Sequence, residues 1–288
     1  MQHWPRISVV TPSFNQAAFL ERTIRSVLDQ DYPSLEYLVV DGGSSDKSAV
    51  IIKKYAGRLT WWCSERDEGQ AHAISKGFDR STGEVLCWLN SDDILLPGAL
   101  RAVGTFFRDH PAAEVVNGSA FYINASDRPV GSGLQSSYTH GVRASAQRFR
   151  FYGQDGVYQQ ATFWRRDPYF AVGGVRKEFI FAMDLDLFTR LATRQRFHVI
   201  PRYLACFRIH AANKSSTIED VRRKEVLSIR SQYGVLEAHP VRRFGLYWWY
   251  RVASLTRKAL LQLKLALGTE KFPAIPEVPG AGETGEHP

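Results

Sequence analysis

The sequence predicts an α/β fold: a mostly parallel sheet with helices on both faces, extended at its C-terminal end by further helix. Short apolar, β-branched runs recur at residues 7–11, 37–40, 59–63 and 84–89. Segments with apolar residues three and four apart separate them, and strand–helix alternation of this kind builds parallel sheets buried on both sides. Most of these runs end in small and acidic polar residues, at the sheet edge where open α/β folds bind ligands.

The first run, Ile7-Ser8-Val9-Val10-Thr11, stops at Pro12, and Asn15 is placed to cap a helix whose Phe19, Leu20, Ile24, Val27 and Leu28 share a face. The second, Tyr37-Leu38-Val39-Val40, closes on Asp41-Gly42-Gly43, and Ser45 or Asp46 caps a helix through Tyr55. A third strand at 59–63 leads to a helix from Gly69 or Gln70 to about Phe78. The fourth, 84–89, precedes a helix expected to start at Pro97, a residue favoured at the first helical position. From about 118 to 158 the periodicity weakens, and so long an irregular stretch reads as a lid or binding loop. A strand at 161–164, a helix at 184–194 and strand-like pieces at 197–200 and 203–209 follow. The expected organisation is an α/β domain over 1–218, a basic amphipathic helical extension over 219–271 and a disordered Pro/Gly-rich tail over 272–288.

Composition narrows the function classes. The chain has 288 residues, 44% apolar and 23% charged, which excludes a disordered chain and a fibre. Three cysteines exclude a disulfide scaffold, and no basic-then-apolar leader opens the chain, so a cytoplasmic location is expected. No uncharged apolar run reaches the roughly 18 residues of a membrane span. The net charge of +8 is unevenly spread: residues 1–120 carry 12 basic and 15 acidic groups, and residues 121–218 carry 14 and 6. An acidic first segment suits phosphate masked by a metal ion better than bare nucleic-acid phosphate, so nucleic acid is not an expected partner.

The strand ends deliver Thr11-Pro12-Ser13-Phe14-Asn15, Asp41-Gly42-Gly43-Ser44-Ser45-Asp46, Asp67-Glu68-Gly69 and Asn90-Ser91-Asp92-Asp93 to one edge. Adjacent carboxylates repel unless a cation lies between them, so paired acids at a strand end point to a divalent ion, Mg²⁺ or Mn²⁺, bridging anionic oxygens. Taken singly, Asp41 reads equally as a turn residue, and Asp92-Asp93 as a solvated loop.

Residues 7–15 (ISVVTPSFN), 39–46 (VVDGGSSD), 67–78 (DEGQAHAISKGF) and 89–100 (LNSDDILLPGAL), in that order, resemble glycosyltransferase family 2 over about residues 5–216. The resemblance implies a GT-A type, Rossmann-like fold. It also implies transfer of a sugar from a nucleoside-diphosphate sugar to an acceptor hydroxyl, with inversion. By the same resemblance Thr11, Pro12 and Phe14 line the base pocket, and Asp41 binds base or ribose. Asp67 and Gly69 match the segment closing over the nucleotide. Asp92 matches the second acid of the family's Asp-x-Asp metal motif, with Asp93 directly after it; Asn90 replaces the first acid, and Ser91 lies between. Metal ligation then rests on Asp92 or Asp93.

Met183-Asp184 resembles the family's Glu-Asp pair, making Asp184 the expected general base; a simple helix cap at Asp184 or Asp186 is the alternative. His210 resembles a late His of several family members that reaches metal or diphosphate. Arg208 and Lys214 nearby are candidates to neutralise leaving-group phosphates, and Gln159 or Gln160 to contact donor sugar or acceptor. Two other readings stay open. A non-catalytic nucleotide- or glycan-binding relative is favoured by Asn90 and Met183 and opposed by Asp92, Asp93 and Asp184. A sugar-phosphate nucleotidyltransferase also sets acids at strand ends, but usually carries a Gly-rich, Arg/Lys-containing loop after its first strand, and residues 12–16 (PSFNQ) are not one.

In the extension, Trp249, Val252, Thr256, Leu260, Leu263 and Leu267 recur at helical spacing, with Arg242 and Arg243 before the aromatic run 247–250. Residues 242–267 read either as a helix on an anionic membrane surface, at its inner face, with a lipid-linked or other glycan acceptor, or as a helix packed on the catalytic domain or on a partner.

Overall fold

The computed structural model describes residues 3–130, 138–139, 157–214, 218–233, 240–267 and 269. The apolar runs form the expected strands, the first two longer and the next two shorter than expected: β1 (Ile7–Ser13), β2 (Leu35–Asp41), β3 (Trp61–Ser64) and β4 (Val85–Trp88). Helices α1 (Ala17–Leu28), α2 (Ser48–Tyr55) and α3 (Gln70–Arg80) connect them. Then come β5 (Ile94–Leu95), α4 (Ala99–Asp109), β6 (Val115–Ile123), β7 (Tyr138–Thr139), β8 (Thr162–Arg165), α5 (Arg166–Ala171), α6 (Met183–Arg194) and β9 (His198–Arg208). Two helices, α7 (Glu219–Gln232) and α8 (Pro240–Ala266), end the described chain.

Among the described residues one sheet of nine strands runs β3-β2-β1-β4-β8-β6-β9-β5, with β7 beside β6. The first four are parallel; β8 is antiparallel to both β4 and β6, β6 is parallel to β9, and β5 is antiparallel to β9. Successive strand residues face opposite sides. Val10, Leu38, Val40 and Trp88 therefore pack with Phe78 of α3 and Phe188 of α6. Val9, Val39 and Cys87 pack with Leu20 of α1, Ile52 of α2 and Val103 of α4. Each such fully buried side chain stabilises the fold by about 1.5–3 kcal/mol.

Register aligns the site. Ser13 pairs with Asp41 and Asp41 with Ser64, so the ends of β1, β2 and β3 lie level. The N–H of Leu89 donates to the Val10 carbonyl at 2.9 Å, setting Asn90–Asp93 beside the end of β1. Ile94 pairs with Cys206, which carries the residues just before β5 to those just after β9.

The helix starts differ from expectation. Asn15 adopts φ 52° and accepts the Ser45 N–H at 2.9 Å, rather than capping α1. Asp46 serves both helices, accepting the N–H of Ala17 at 2.9 Å and of Ser48 at 2.8 Å. Pro97 lies outside α4, which begins after Gly98 at φ 75°. The strand β6 and the single long β9 replace the expected irregular stretch from 118 and the two short pieces near 200. The rest of the expected lid, at 131–137 and 140–156, and the tail at 272–288 lie outside the described residues.

The helix that follows position 218 packs on this core. Ile229 of α7 is buried in the core with Phe188 and Leu191, and Val226 and Tyr233 pack against it. Helix α8 differs: Val241, Phe244, Trp249, Val252, Leu260, Leu263 and Leu267 are each more than half exposed, so packing on the domain does not account for its apolar face.

Candidate active site

A cleft of about 1190 Å³ opens at the ends of β1, β2 and β4 and is walled on its far side by α6 and α7. Pro12, Ser13, Phe14, Gly42, Asp67 and Gly69 line one part, Asn90, Ser91, Asp92 and Gln160 the floor, and Asp184 and Lys214 face them. Most of the residues singled out by sequence thus meet in one place.

At the β1 and β2 ends the fit comes from small residues. A Cβ on Gly42 would stand 2.9 Å from Asp67 Oδ2, so only glycine lets the Asp67 carboxylate lie against the end of β2. Asp67 Oδ1 accepts the Gly69 N–H at 2.8 Å, and Gly69, at φ 109°, turns the chain into α3. Asp41 is fully buried, its carboxylate accepting the Ser44 N–H at 3.0 Å and the Ser64 hydroxyl at 2.7 Å. It holds the loop that borders the cleft and does not line it. Thr11 also falls short of the cleft: it is fully buried, and its hydroxyl shares a 3.0 Å hydrogen bond with that of Tyr37.

The two acids after β4 have separate environments. Asp92 lines the cleft, and its Oδ2 lies 3.0 Å from His210 Nε2 and 3.3 Å from the Asn213 amide that donates to it. The His210 ring is held from behind by Phe19, 4.5 Å between centroids. Asp93 is wholly buried and turned away: it accepts the Arg208 N–H at 3.0 Å and the Asn90 amide at 3.4 Å. Burial first, then the charge of Asp92, pushes its pKa well above the ordinary carboxylate range. The expectation that Asp93 faces the same site as Asp92 is corrected accordingly: Asp92 lines the cleft and Asp93 does not, while His210 is not itself a lining residue and adjoins the cleft through its contact with Asp92.

Asn90 now has a physical reason. Its amide donates to Asp93 while its oxygen accepts from Gln70 Nε2 at 2.8 Å, and Gln70 Oε1 accepts from Lys214 Nζ at 2.8 Å. A carboxylate at 90 would face that of Asp93 without a donor between them. Desolvation in the cleft lowers the Lys214 pKa, against the raising charges of Glu225, Asp67 and Asp92.

Arg208 is corrected as well. Its guanidinium is buried, donating to the carbonyls of Asp92 at 2.8 Å and Asn124 at 2.9 Å and paired with Asp127 at 2.5 Å. It ties the Asp92-Asp93 turn to the sheet and does not reach the cleft.

Asp184 lines the cleft from the first turn of α6, and its Oδ1 accepts the Leu185 N–H at 2.8 Å. Asp186 is fully buried in an ion pair with Arg190 at 2.6 Å, so it is a core partner rather than a cap. The α6 N-terminus is met from another helix: the Glu225 carboxylate accepts the N–H groups of Ile180, Phe181 and Ala182 at 2.7, 2.9 and 2.8 Å. Sequence reading did not find Glu225, because its partners lie more than 40 positions away. Gln70 was within reach, standing inside the DEGQ motif at the start of α3.

Several buried polar atoms on the cleft side have no protein partner among the described residues: Ser13 Oγ, Gln159 Oε1 and Gln160 Nε2. Buried polar atoms are normally paired, so these are the groups a polar ligand would satisfy. No group of three or more His, Cys, Asp or Glu side chains able to hold a metal occurs among the described residues.

The geometry has close counterparts. The chain is 34% identical over 103 residues to the GalNAc(5)-diNAcBac-PP-undecaprenol beta-1,3-glucosyltransferase of Campylobacter jejuni, covering 34% of this chain and 33% of that enzyme. It therefore spans about a third of that relative's length. S. aureus TarS, solved with UDP-GlcNAc, superposes with a TM-score of 0.60 at 16% identity, over 84% of this chain and 70% of that one. The mannosyltransferase PcManGT of Pyrobaculum calidifontis, solved with GDP-Man and Mn²⁺, gives 0.59 at 18% identity, over 94% and 77%. At such identities these structures attest the fold. The sequence itself matches the model of glycosyl transferase family 2 over residues 8–173, a span that takes in all four parallel strands and the floor of the cleft. Sequence match and superposition agree, and the chain belongs to glycosyl transferase family 2 with a GT-A fold.

Proposed function

We propose that the protein transfers a hexosyl group from a nucleoside-diphosphate sugar to a hydroxyl of a glycan or lipid-linked acceptor, with inversion, in cell-surface polysaccharide or glycolipid synthesis. The observation that carries this reading is the placement of Asp184 and Asp92 in one cleft, on different elements, with His210 in contact with Asp92. Inverting displacement needs that division: one carboxylate at the incoming hydroxyl, and a separate group at the departing diphosphate.

In this reading the nucleoside lies along Pro12, Phe14 and Asp67, and the donor sugar satisfies Gln160 and Ser13, the polar atoms left open in the cleft. Lys214, tethered by Gln70, places a cation beside the diphosphate. Asp184 takes the proton of the acceptor hydroxyl as its oxygen closes on the anomeric carbon and the bond to phosphate breaks. The residues present fit a divalent ion. Asp92 offers a carboxylate oxygen and His210, in contact with it, an imidazole nitrogen, and these two would hold the ion together with oxygens of the donor. When bound, such an ion would supply positive charge to the leaving diphosphate.

The reading places the protein at the cytoplasmic face of a membrane. Helix α8 is long and basic, with Arg251 and Lys264 among its cations, and its aromatic residues Phe244, Trp248 and Trp249 are exposed. Such a helix suits an anionic lipid surface. No helix among the described residues is long and apolar enough to cross a membrane.

A panel of nucleoside-diphosphate sugars, with and without Mn²⁺, scored by calorimetry for binding and by nucleotide release for hydrolysis, tests the assignment. One donor should bind and be hydrolysed slowly, with both strengthened by Mn²⁺. Binding without release would favour the non-catalytic reading, and pyrophosphate exchange with a sugar phosphate the nucleotidyltransferase.

A further inference from the structure

The cleft is larger than a nucleotide sugar alone requires, and its far wall is helix α7, whose cleft-facing residues include Arg222, Arg223, Val226 and Arg230. These positions recur three, four and seven or eight apart, one face of a helix. Of the three acids of α7, Glu219 alone lines the cleft, and Asp220 does not. Glu219 pairs with Arg222 at 2.5 Å, at an exposed position. Glu225 is turned off the cleft to the N–H groups of Ile180, Phe181 and Ala182. With Glu219 counted against Arg222, Arg223 and Arg230, this wall is left with an excess of positive charge.

The same Glu225 contact locates the wall. It holds α7 against the start of α6, two residues before Asp184 at Ala182, so the arginines stand on the general-base side of the cleft. The groups at the donor diphosphate, Asp92 and His210, come instead from the ends of β4 and β9, with Lys214 standing between the two sides, on Gln70 at 2.8 Å and the Ile180 carbonyl at 3.5 Å. An anion here is therefore a second anion, and only the acceptor can bring it.

The geometry points to an acceptor that carries phosphate: Arg222 and Arg223, with Arg230, form a subsite for an acceptor phosphate or diphosphate group while its hydroxyl faces Asp184. This rests on the transferase reading above. Guanidinium groups suit such oxygens because they donate in a fixed fork. Val226, between them on the same face, gives the neighbouring part of the acceptor an apolar surface.

The test is calorimetry on the full chain with three soluble probes: N-acetylglucosamine bearing a short alkyl diphosphate at C1, the same sugar with an alkyl phosphodiester, and the same sugar as a neutral alkyl glycoside. Short alkyl groups keep α8 out of the measurement. At least one phosphorylated probe should bind ten-fold or more tighter than the glycoside, with an advantage that shrinks in high salt. Which of the two binds separates a lipid-diphosphate-type acceptor from a phosphodiester polymer. In the Arg222→Gln/Arg223→Gln variant the advantage should fall to within about three-fold, while UDP and GDP affinities stay within two-fold of the parent. Arg223→Lys, keeping charge, should restore part of the advantage.

Equal binding of all three probes by the parent would overturn the proposal. So would an equal loss of nucleotide and probe affinity in the double variant, which would assign the arginines to the donor. These readouts need no turnover, so failure of the transferase reading, seen as no nucleotide-sugar binding or hydrolysis by the parent, is distinguishable from failure of the subsite.

Discussion

His210 Nε2 stands 3.0 Å from Asp92 Oδ2 although 118 positions separate the two residues, and the pairing of β5 with β9 is what brings them together. Because Asp93 is buried, the proposed divalent ion would draw on Asp92 and on His210 beside it. His210→Ala and Asp92→Ala should each weaken Mn²⁺-dependent nucleotide binding by ten-fold or more, and the double variant should lose little beyond the worse single. Asp93→Asn should leave Mn²⁺ dependence intact. Titration of Mn²⁺ against bound nucleotide, followed by water-proton relaxation, checks all four; a loss of Mn²⁺ affinity confined to Asp93→Asn would overturn the assignment.

Asp184 carries the proton transfer in the proposed reaction from the first turn of α6, an element separate from the turn at Asp92. Asp184→Asn preserves size and can still lie beside the Leu185 N–H, but it cannot accept a proton. Turnover should fall by about 10²–10⁴-fold, with donor affinity within a factor of two. Single-turnover kinetics alongside calorimetry separate the two effects, and a loss of donor affinity with turnover retained would refute the role.

Arg208 joins Asp127 at 2.5 Å and the carbonyls of Asp92 and Asn124 while only 1% exposed. Asp127 is part-exposed and keeps Arg22 at 2.8 Å, so the cost of removing the guanidinium falls on the carbonyls it leaves without a donor, about 1–3 kcal/mol each. Arg208→Met should therefore lower the unfolding midpoint by many degrees. Arg208→Lys, which can keep the charge beside Asp127, should fold and bind nucleotide within about three-fold of the parent. A stable Arg208→Met protein with much weakened nucleotide binding would show instead that the guanidinium meets phosphate.

Arg208 also shows where sequence reading stops. The strand ends after β1, β2 and β4 were legible because β-branched runs stop abruptly at small and acidic residues, and parallel pairing carries those ends to one edge. Which acid faces the cleft was not legible: Asp92 and Asp93 differ only in the side of the turn they occupy, and that is decided by the N–H of Arg208. Strand β6 was missed because Asn117, Gly118 and Ser119 interrupt its apolar run. In the fold Asn117 donates to the His198 carbonyl at 3.0 Å, and a Cβ on Gly118 would stand 2.4 Å from Leu204. Those residues read as loop because β9, which accommodates them, lies some 80 positions further on. The wall formed by α7 was hidden for the same reason, since Glu225 acts on α6 from a distance that periodicity cannot report.

Helix α8 gives a prediction that leaves the cleft alone. Trp249, 71% exposed, and Phe244, 66% exposed, stand on a helix whose surroundings do not cover them. Trp249→Ala/Phe244→Ala should reduce sedimentation with vesicles containing anionic lipid by ten-fold or more and leave hydrolysis of the donor in solution unchanged. Binding should also be absent with purely zwitterionic vesicles. Undiminished binding to anionic vesicles by the variant would remove these side chains as the anchor.

Glu36 supplies a pH test at the opposite end of the sheet. Its buried carboxylate accepts from the Ser8 hydroxyl, the Thr82 N–H at 2.7 Å, the Thr82 hydroxyl at 2.8 Å and the Gly83 N–H at 3.2 Å. Burial alone would raise its pKa, but these donors outweigh burial and hold it below the ordinary value. A carboxyl with a lowered folded-state pKa binds fewer protons folded than unfolded as the pH falls. Its contribution is full above the unfolded pKa of about 4.3 and is lost as the pH drops through the folded value. Glu36→Gln keeps the shape but turns an amide toward donors, which should cost about 1.5–3 kcal/mol at pH 7. The gap in unfolding free energy between parent and variant should stay constant from pH 7 to about 5 and close below about 4. A gap that widened on acidification would mean that the Glu36 carboxyl is protonated in the fold, and would reverse the sign of its contribution.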